Sequence, residues 1–125
     1  MLARVINKEF NAVPFVLIES NLVIAMSSVV NVVGLRVLSP DKAILAPHCH
    51  APINTASVIS FPLEKEMAEE FSKDLINKFK PKAIITIKKG GMNEKGIIHS
   101  CSGIDISKYT ANIDFLIREA NKKGY

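Results

Sequence analysis

LEKEMAEEFSKDLINKFKPKAIITI, residues 63–87, sets a helix-period stripe against a proline and then an unbroken apolar run. Leu63, Met67, Phe71, Leu75 and Phe79 recur at i, i+4 spacing, which predicts an amphipathic helix over 63–79. Its acids come early and its lysines late, the order that the helix dipole favours. Pro81 ends it, and KAIITI, residues 82–87, lacks the polar alternation of a half-exposed strand. That pattern predicts a strand buried on both faces, the kind found in parallel sheets covered by helices.

The chain upstream repeats the alternation. AVPFVLIE, residues 12–19, is a second continuous apolar run and reads as the first central strand. Ser20 and Asn21 are suited to cap a helix in which Leu22, Met26, Val29, Val30 and Val33 recur until Gly34. LRVLS, residues 35–39, predicts a strand closed by a Pro40-Asp41 turn, and AILAP, residues 43–47, a short third strand. A polar loop, HCHAPINT at 48–55, precedes another β-rich run, ASVISF, that Pro62 terminates. Past the glycines, Ser107 is expected to cap a last helix with Tyr109, Ile113, Leu116, Ile117 and Ala120 on its apolar face. Alternating strands and helices of this kind predict a single α/β domain over 1–125, a layered sandwich with a mainly parallel sheet and helices on both faces. Ligands of such sheets sit beyond the carboxyl ends of the strands, where the 48–55 and 88–106 loops emerge.

The bulk composition narrows the function classes. With 125 residues, 48% hydrophobic and 22% charged, the chain can bury a core without disulfides, and with 6% aromatics and no Trp that core is aliphatic. A net charge of +4 favours an anionic ligand. Nucleic acid is disfavoured, because Lys73, Lys78, Lys80, Lys82, Lys122 and Lys123 sit at helix-like carboxyl ends and no aromatic platform accompanies them. Residues 21–35 carry no charge but fall short of the roughly 20 residues that span a bilayer, so no membrane role is expected. The start lacks the pattern of a secretory signal, which makes a cytoplasmic location the expectation.

The loop from Lys88 to Ile106 is longer and more polar than a connection requires. Gly90, Gly91, Gly96 and Gly103 allow close approach of backbone to a ligand, and exposed amides with Lys88, Lys89 and Lys95 make an anion nest. Asn93 belongs to the same turn-rich segment. A plain β-hairpin with IIHS as its second strand accounts for the same glycines. Asp105 is a candidate base or ammonium anchor, or simply a turn cap; Glu19, at the end of the first strand, is a second candidate or a routine electrostatic choice beside a helix start, and Glu19 or His99 can assist Asp105. The chain's three His and two Cys fall in two clusters, His48, Cys49 and His50, then His99 and Cys101. Zinc needs about four such groups. The spacing is that of no known finger or ribbon, so no cofactor is expected, with zinc at these residues as the alternative.

The order Pro81, Gly91, Asn93, Gly96, His99, Gly103, Asp105, Ile106, Thr110, Ala111 and Asp114 resembles the carboxy-terminal domain of D-glutamate cyclases and their bacterial and archaeal relatives. The likeness is good over residues 61–124 and faint before, where Glu19-Ser20 corresponds to an acidic turn of that family. It implies an α/β sandwich and a lyase reaction in which D-glutamate loses water to close the 5-oxo-D-proline ring. This sequence departs from the pattern at Lys88, where the family usually has Glu, and at Met92 and Ser102, where it usually has Arg. Loss of two arginines removes bidentate carboxylate clamps. The family's glycine- and acid-rich element beyond Tyr125 is not in this sequence, so a homo-oligomer or a second chain completing the site is expected. Taken together, these features lead to the expectation of a small anionic-metabolite-binding or diverged member, with the cyclase itself or a structural subunit as alternatives.

Overall fold

The structure is a computed structural model that describes residues 2–45, 54–87 and 90–125. The chain divides into two compact units, Met1–Ser60 and Phe61–Tyr125.

The first unit opens with α1, Leu2–Phe10, a segment to which the sequence reading assigned no element. Asn11 ends it at φ 49°, a left-handed conformation that Asn adopts more readily than most residues. Asn7 is buried and fully engaged: its Nδ2 donates to the carbonyls of Ala12 and Thr55, each at 3.1 Å, and its Oδ1 accepts the Asn54 amide at 2.8 Å. A buried amide is stable only with such partners. β1, Phe15–Glu19, follows, then a 3-10 turn, Ser20–Leu22, and α2, Val23–Val32. Ser20 and Asn21 therefore lie in the 3-10 turn, and the residue at the N-cap of α2 is Leu22, which makes no side-chain capping hydrogen bond. The helix ends before Gly34, whose φ of 84° suits a C′ position.

β2 is Arg36–Leu38, shorter than the 35–39 strand expected, and Leu35 is buried in the core. The short strand expected at 43–47 is instead part of a helix, α3, Pro40–Leu45. Pro40 is preset for the first turn of a helix, and the Ser39 carbonyl accepts the Ala43 amide at 2.9 Å. What read as a turn signal is thus a helix start. β3, Thr55–Phe61, matches the predicted β-rich run. The sheet is open, three-stranded and parallel, in the order β1-β3-β2. Arg36, Val37 and Leu38 pair with Thr55, Ala56 and Ser57. Ala3, Val30, Leu35 and Ala56 form the core, with Val16, Met26, Val33, Val37 and Val58 against it, the aliphatic interior that the composition requires.

In the second unit α4, Lys65–Phe79, packs with α5, Asp114–Lys122, and Lys123 Nζ donates to Asn77 Oδ1 where the two carboxyl ends meet. α4 buries Ala68, Ser72, Leu75 and Ile76, and Phe71 meets Phe61 edge-on at 5.5 Å and 89°. Met67, which the stripe had placed inside, is 58% exposed. A strict four-residue spacing overshoots the 3.6-residue turn, so one end of such a row rotates off the buried face. Ser72 offsets its own burial by donating to the Ala68 carbonyl at 2.6 Å.

Two predictions fail here. Residues 82–87 form no strand, and Ile85 and Ile87 are 57% and 59% exposed. An apolar run becomes a buried strand only when a neighbour satisfies its backbone, and among the described residues no strand pairs with this one. The last helix begins at Asp114 rather than after Ser107, and Tyr109 is 78% exposed. Ser107 is not a cap because its hydroxyl is spent on the preceding hairpin. Among the described residues no helix is long and apolar enough to cross a membrane.

Candidate functional site

The glycine loop is a chain of hydrogen-bonded turns. Asn93 organises the first: its carbonyl accepts the Gly96 amide at 2.9 Å, and its Oδ1 accepts the amides of Lys95 and Ile97 at 2.9 and 3.0 Å. An Asn side chain folding its own backbone in this way is an Asx turn. The chain then enters a small hairpin. Ile98, buried at 1% exposure, accepts the Ile106 amide at 2.9 Å, His99 bridges antiparallel to Asp105, and the Ser100 amide donates to Ile104 at 2.8 Å. IIHS thus pairs with the GIDIS segment and not with residues 82–87. Gly103 closes the tip at φ 82°, a conformation that a side chain would strain. Its amide donates to the Ser100 carbonyl at 3.0 Å, and Ser100 and Ser102 share a hydroxyl hydrogen bond of 2.9 Å. Cys101 is an exposed free thiol on that tip.

Asp105 is exposed, and its Oδ1 accepts both the Ser107 hydroxyl at 2.7 Å and the Ser107 amide at 2.9 Å. The hydroxyl contact most of all, then the amide, holds the carboxyl below its ordinary pKa, with His99 and Lys108 adding smaller pulls. Ser107 Oγ also accepts the Ile98 amide at 2.9 Å. Asp105 is therefore an ionised carboxylate at neutral pH, suited to hold a cation. General bases work best with a pKa near the working pH, and a lowered one moves away from it.

The Met92 amide, just after the glycine pair, already faces a carboxylate, and it belongs to the protein. Asp114 Oδ2 accepts the Met92 amide at 2.6 Å, and a Cβ on Gly91 would stand 3.4 Å from the same oxygen. Asn112 completes the joint: its Oδ1 accepts the Asp114 amide at 3.2 Å, and its Nδ2 donates to the Met92 sulfur at 3.1 Å. Asp114 thereby fastens the glycine pair to the first turn of α5. Its role as a loop anchor was not among the sequence assignments. The available signal was an acid in the opening turn of a helix downstream of paired glycines, where backbone amides gather.

His99 and Asp105 are brought together, and Gly90, Gly91, Asn93, Gly96 and Gly103 shape the same loop. Glu19 is buried at the carboxyl end of β1, in the first unit. Lys88, Lys89, His48, Cys49 and His50 lie outside the described residues. Among the described residues no group of three or more His, Cys, Asp or Glu is placed to hold a metal. A shallow hollow lies elsewhere, along α4, lined by Glu66, Glu69, Glu70, Lys73, Asp74 and Asn77. Lys73 and Glu69 pair there at 3.3 Å with half-exposed side chains, which is the character of a solvated helix face.

Neither a curated protein nor a solved structure matches this chain. A family model does, and it extends the likeness seen around the glycine loop back through the first strand and helix. It is described as D-glutamate cyclase-like, C-terminal, and spans residues 1–125. With its whole length matched and the loop built from the residues that carry the resemblance, the chain belongs to the D-glutamate cyclase-like C-terminal family.

Proposed function

We propose that the 90–107 loop binds a small carboxylate-bearing metabolite in a diverged member of this family. The observation that carries the reading is the His99–Asp105 pair, exposed on adjoining arms of one hairpin. Residues directly opposite on an antiparallel pair have Cβ atoms about 5 Å apart, within reach of one small ligand. Asp105 supplies a carboxylate for an ammonium group, and the imidazole of His99 supplies a donor for a carboxylate. Lys88 and Lys89, next to the glycines in sequence, add positive charge.

The cyclase reaction is the second reading, and the family membership favours it. Against it stand the two positions at which the family usually carries Arg. Met92 uses its sulfur on Asn112, and Ser102 uses its hydroxyl on Ser100, so neither offers the planar fork that grips a carboxylate. A chain retaining the loop without those forks is better fitted to binding than to turnover.

Thermal unfolding with D-glutamate, L-glutamate, 5-oxoproline and phosphate separates the readings, since a ligand of the folded state raises the transition temperature. Stabilisation by a carboxylate without product, abolished in His99→Ala, is expected. Release of 5-oxoproline from D-glutamate would establish the cyclase instead, and no response to any of the four would refute binding by this loop.

A further inference from the structure

The hydroxyl of Ser107 has two partners, on opposite arms of the hairpin. It accepts the Ile98 amide at 2.9 Å, one residue before His99, and donates to Asp105 Oδ1 at 2.7 Å. The Ser107 amide donates to the same oxygen at 2.9 Å. A hydroxyl carries one proton, so with the Ile98 N–H pointed at its oxygen that proton goes to the carboxylate. Two donors from one residue therefore grip a single carboxylate oxygen, and among the described residues Asp105 Oδ2 is taken up by neither.

We propose that Ser107 is the positioning residue of the His99–Asp105 pair: it holds Asp105 in one rotamer, leaves Oδ2 to take a ligand's ammonium group, and ties that arm to the backbone beside His99. Ser107 touches no ligand itself, and this role rests on the binding reading given above.

An exposed aspartate otherwise exchanges among staggered rotamers, and ordering a side chain on binding costs affinity. Here the turn fixes the carboxylate before a ligand arrives. Charge alone does not require the hydroxyl. Without it Asp105, with His99 across the hairpin and Lys108 beside it, is still a carboxylate at neutral pH, because its ordinary value is 3.8. The hairpin has its own ladder as well: the Ser100 amide donates to the Ile104 carbonyl and the Ile106 amide to the Ile98 carbonyl, with no side chain involved. What the hydroxyl adds is direction.

Binding of D-glutamate to the full chain at neutral pH, followed by NMR titration, compares the parent with Ser107→Ala and Ser107→Thr. Ser107→Ala is expected to bind about fivefold to tenfold more weakly, the scale of one side chain left to be ordered on binding. Ser107→Thr keeps the hydroxyl and is expected to bind like the parent. Two further readouts separate positioning from support of the fold. Coupling constants across the Asp105 Cα–Cβ bond should report one rotamer in the parent and an average in Ser107→Ala. Temperature coefficients of the Ser100 and Ile106 amide protons, which report whether each is hydrogen-bonded, should be the same in both. Loss of those two hydrogen bonds in Ser107→Ala would make the hydroxyl a brace of the hairpin and overturn the proposal. Parent binding that Ser107→Ala matches within about twofold would overturn the positioning role alone. A parent chain that binds no D-glutamate would refute the binding reading, and this role with it.

Discussion

Asp105 and Asp114 flank one loop and spend their carboxylates in opposite ways. Asp114 is half-buried and turned onto the Met92 amide, while Asp105 is exposed and holds only a local turn with Ser107. The second arrangement has a pH signature. Asp105 titrates below its ordinary value of 3.8, chiefly because the Ser107 hydroxyl favours the ionised form. A carboxyl whose pKa is lower folded than unfolded adds stability above the unfolded value, and that stability is lost as pH falls through the folded one. Ser107→Ala removes the largest cause, so the Asp105 carboxyl followed by carbon-detected NMR is expected to titrate closer to 3.8 than in the parent chain. An unchanged titration would show that the hydroxyl is not the cause.

At the scale of elements, local signals were legible where a segment satisfies its own backbone. α4 lies where the apolar spacing placed it, and the aliphatic core follows from the composition. Signals that depend on a distant partner were not. Residues 82–87 read as a buried strand from side chains alone, but the backbone pairing that makes a strand is supplied by other residues. Pro40 and Ser107 each had two local meanings, turn or helix start for one and cap or hairpin brace for the other, and only neighbouring hydrogen bonds chose between them. Asp114 acts at this scale too, since it joins loop to helix. Asp114→Ala should leave the half-buried Met92 amide without its charged acceptor and cost about 1.5–3 kcal/mol. Chemical denaturation measures that cost, and a change within about 0.5 kcal/mol, the range of ordinary surface substitutions, would show the joint to be incidental.

For the molecule as a whole, the family was legible because its motif is a series of turn residues whose roles are local. Asn93, Gly103 and Asp105 do in the structure what their residue types do best: fold an Asx turn, close a hairpin at positive φ, and cap a serine. The ligand was less legible, because recognition depends on which side chains remain available after the turns are built. Met92, Ser102 and one oxygen of Asp105 are committed to internal contacts, while His99 and Asp105 stand opposite each other on the exposed hairpin arms. Whether this pair holds a carboxylate metabolite, as proposed, is read at the two residues themselves by NMR titration of the full chain with D-glutamate. Saturable shifts centred on His99 and Asp105 that disappear in Asp105→Asn are expected. Shifts confined to other residues, or none at saturating ligand, would contradict the proposal.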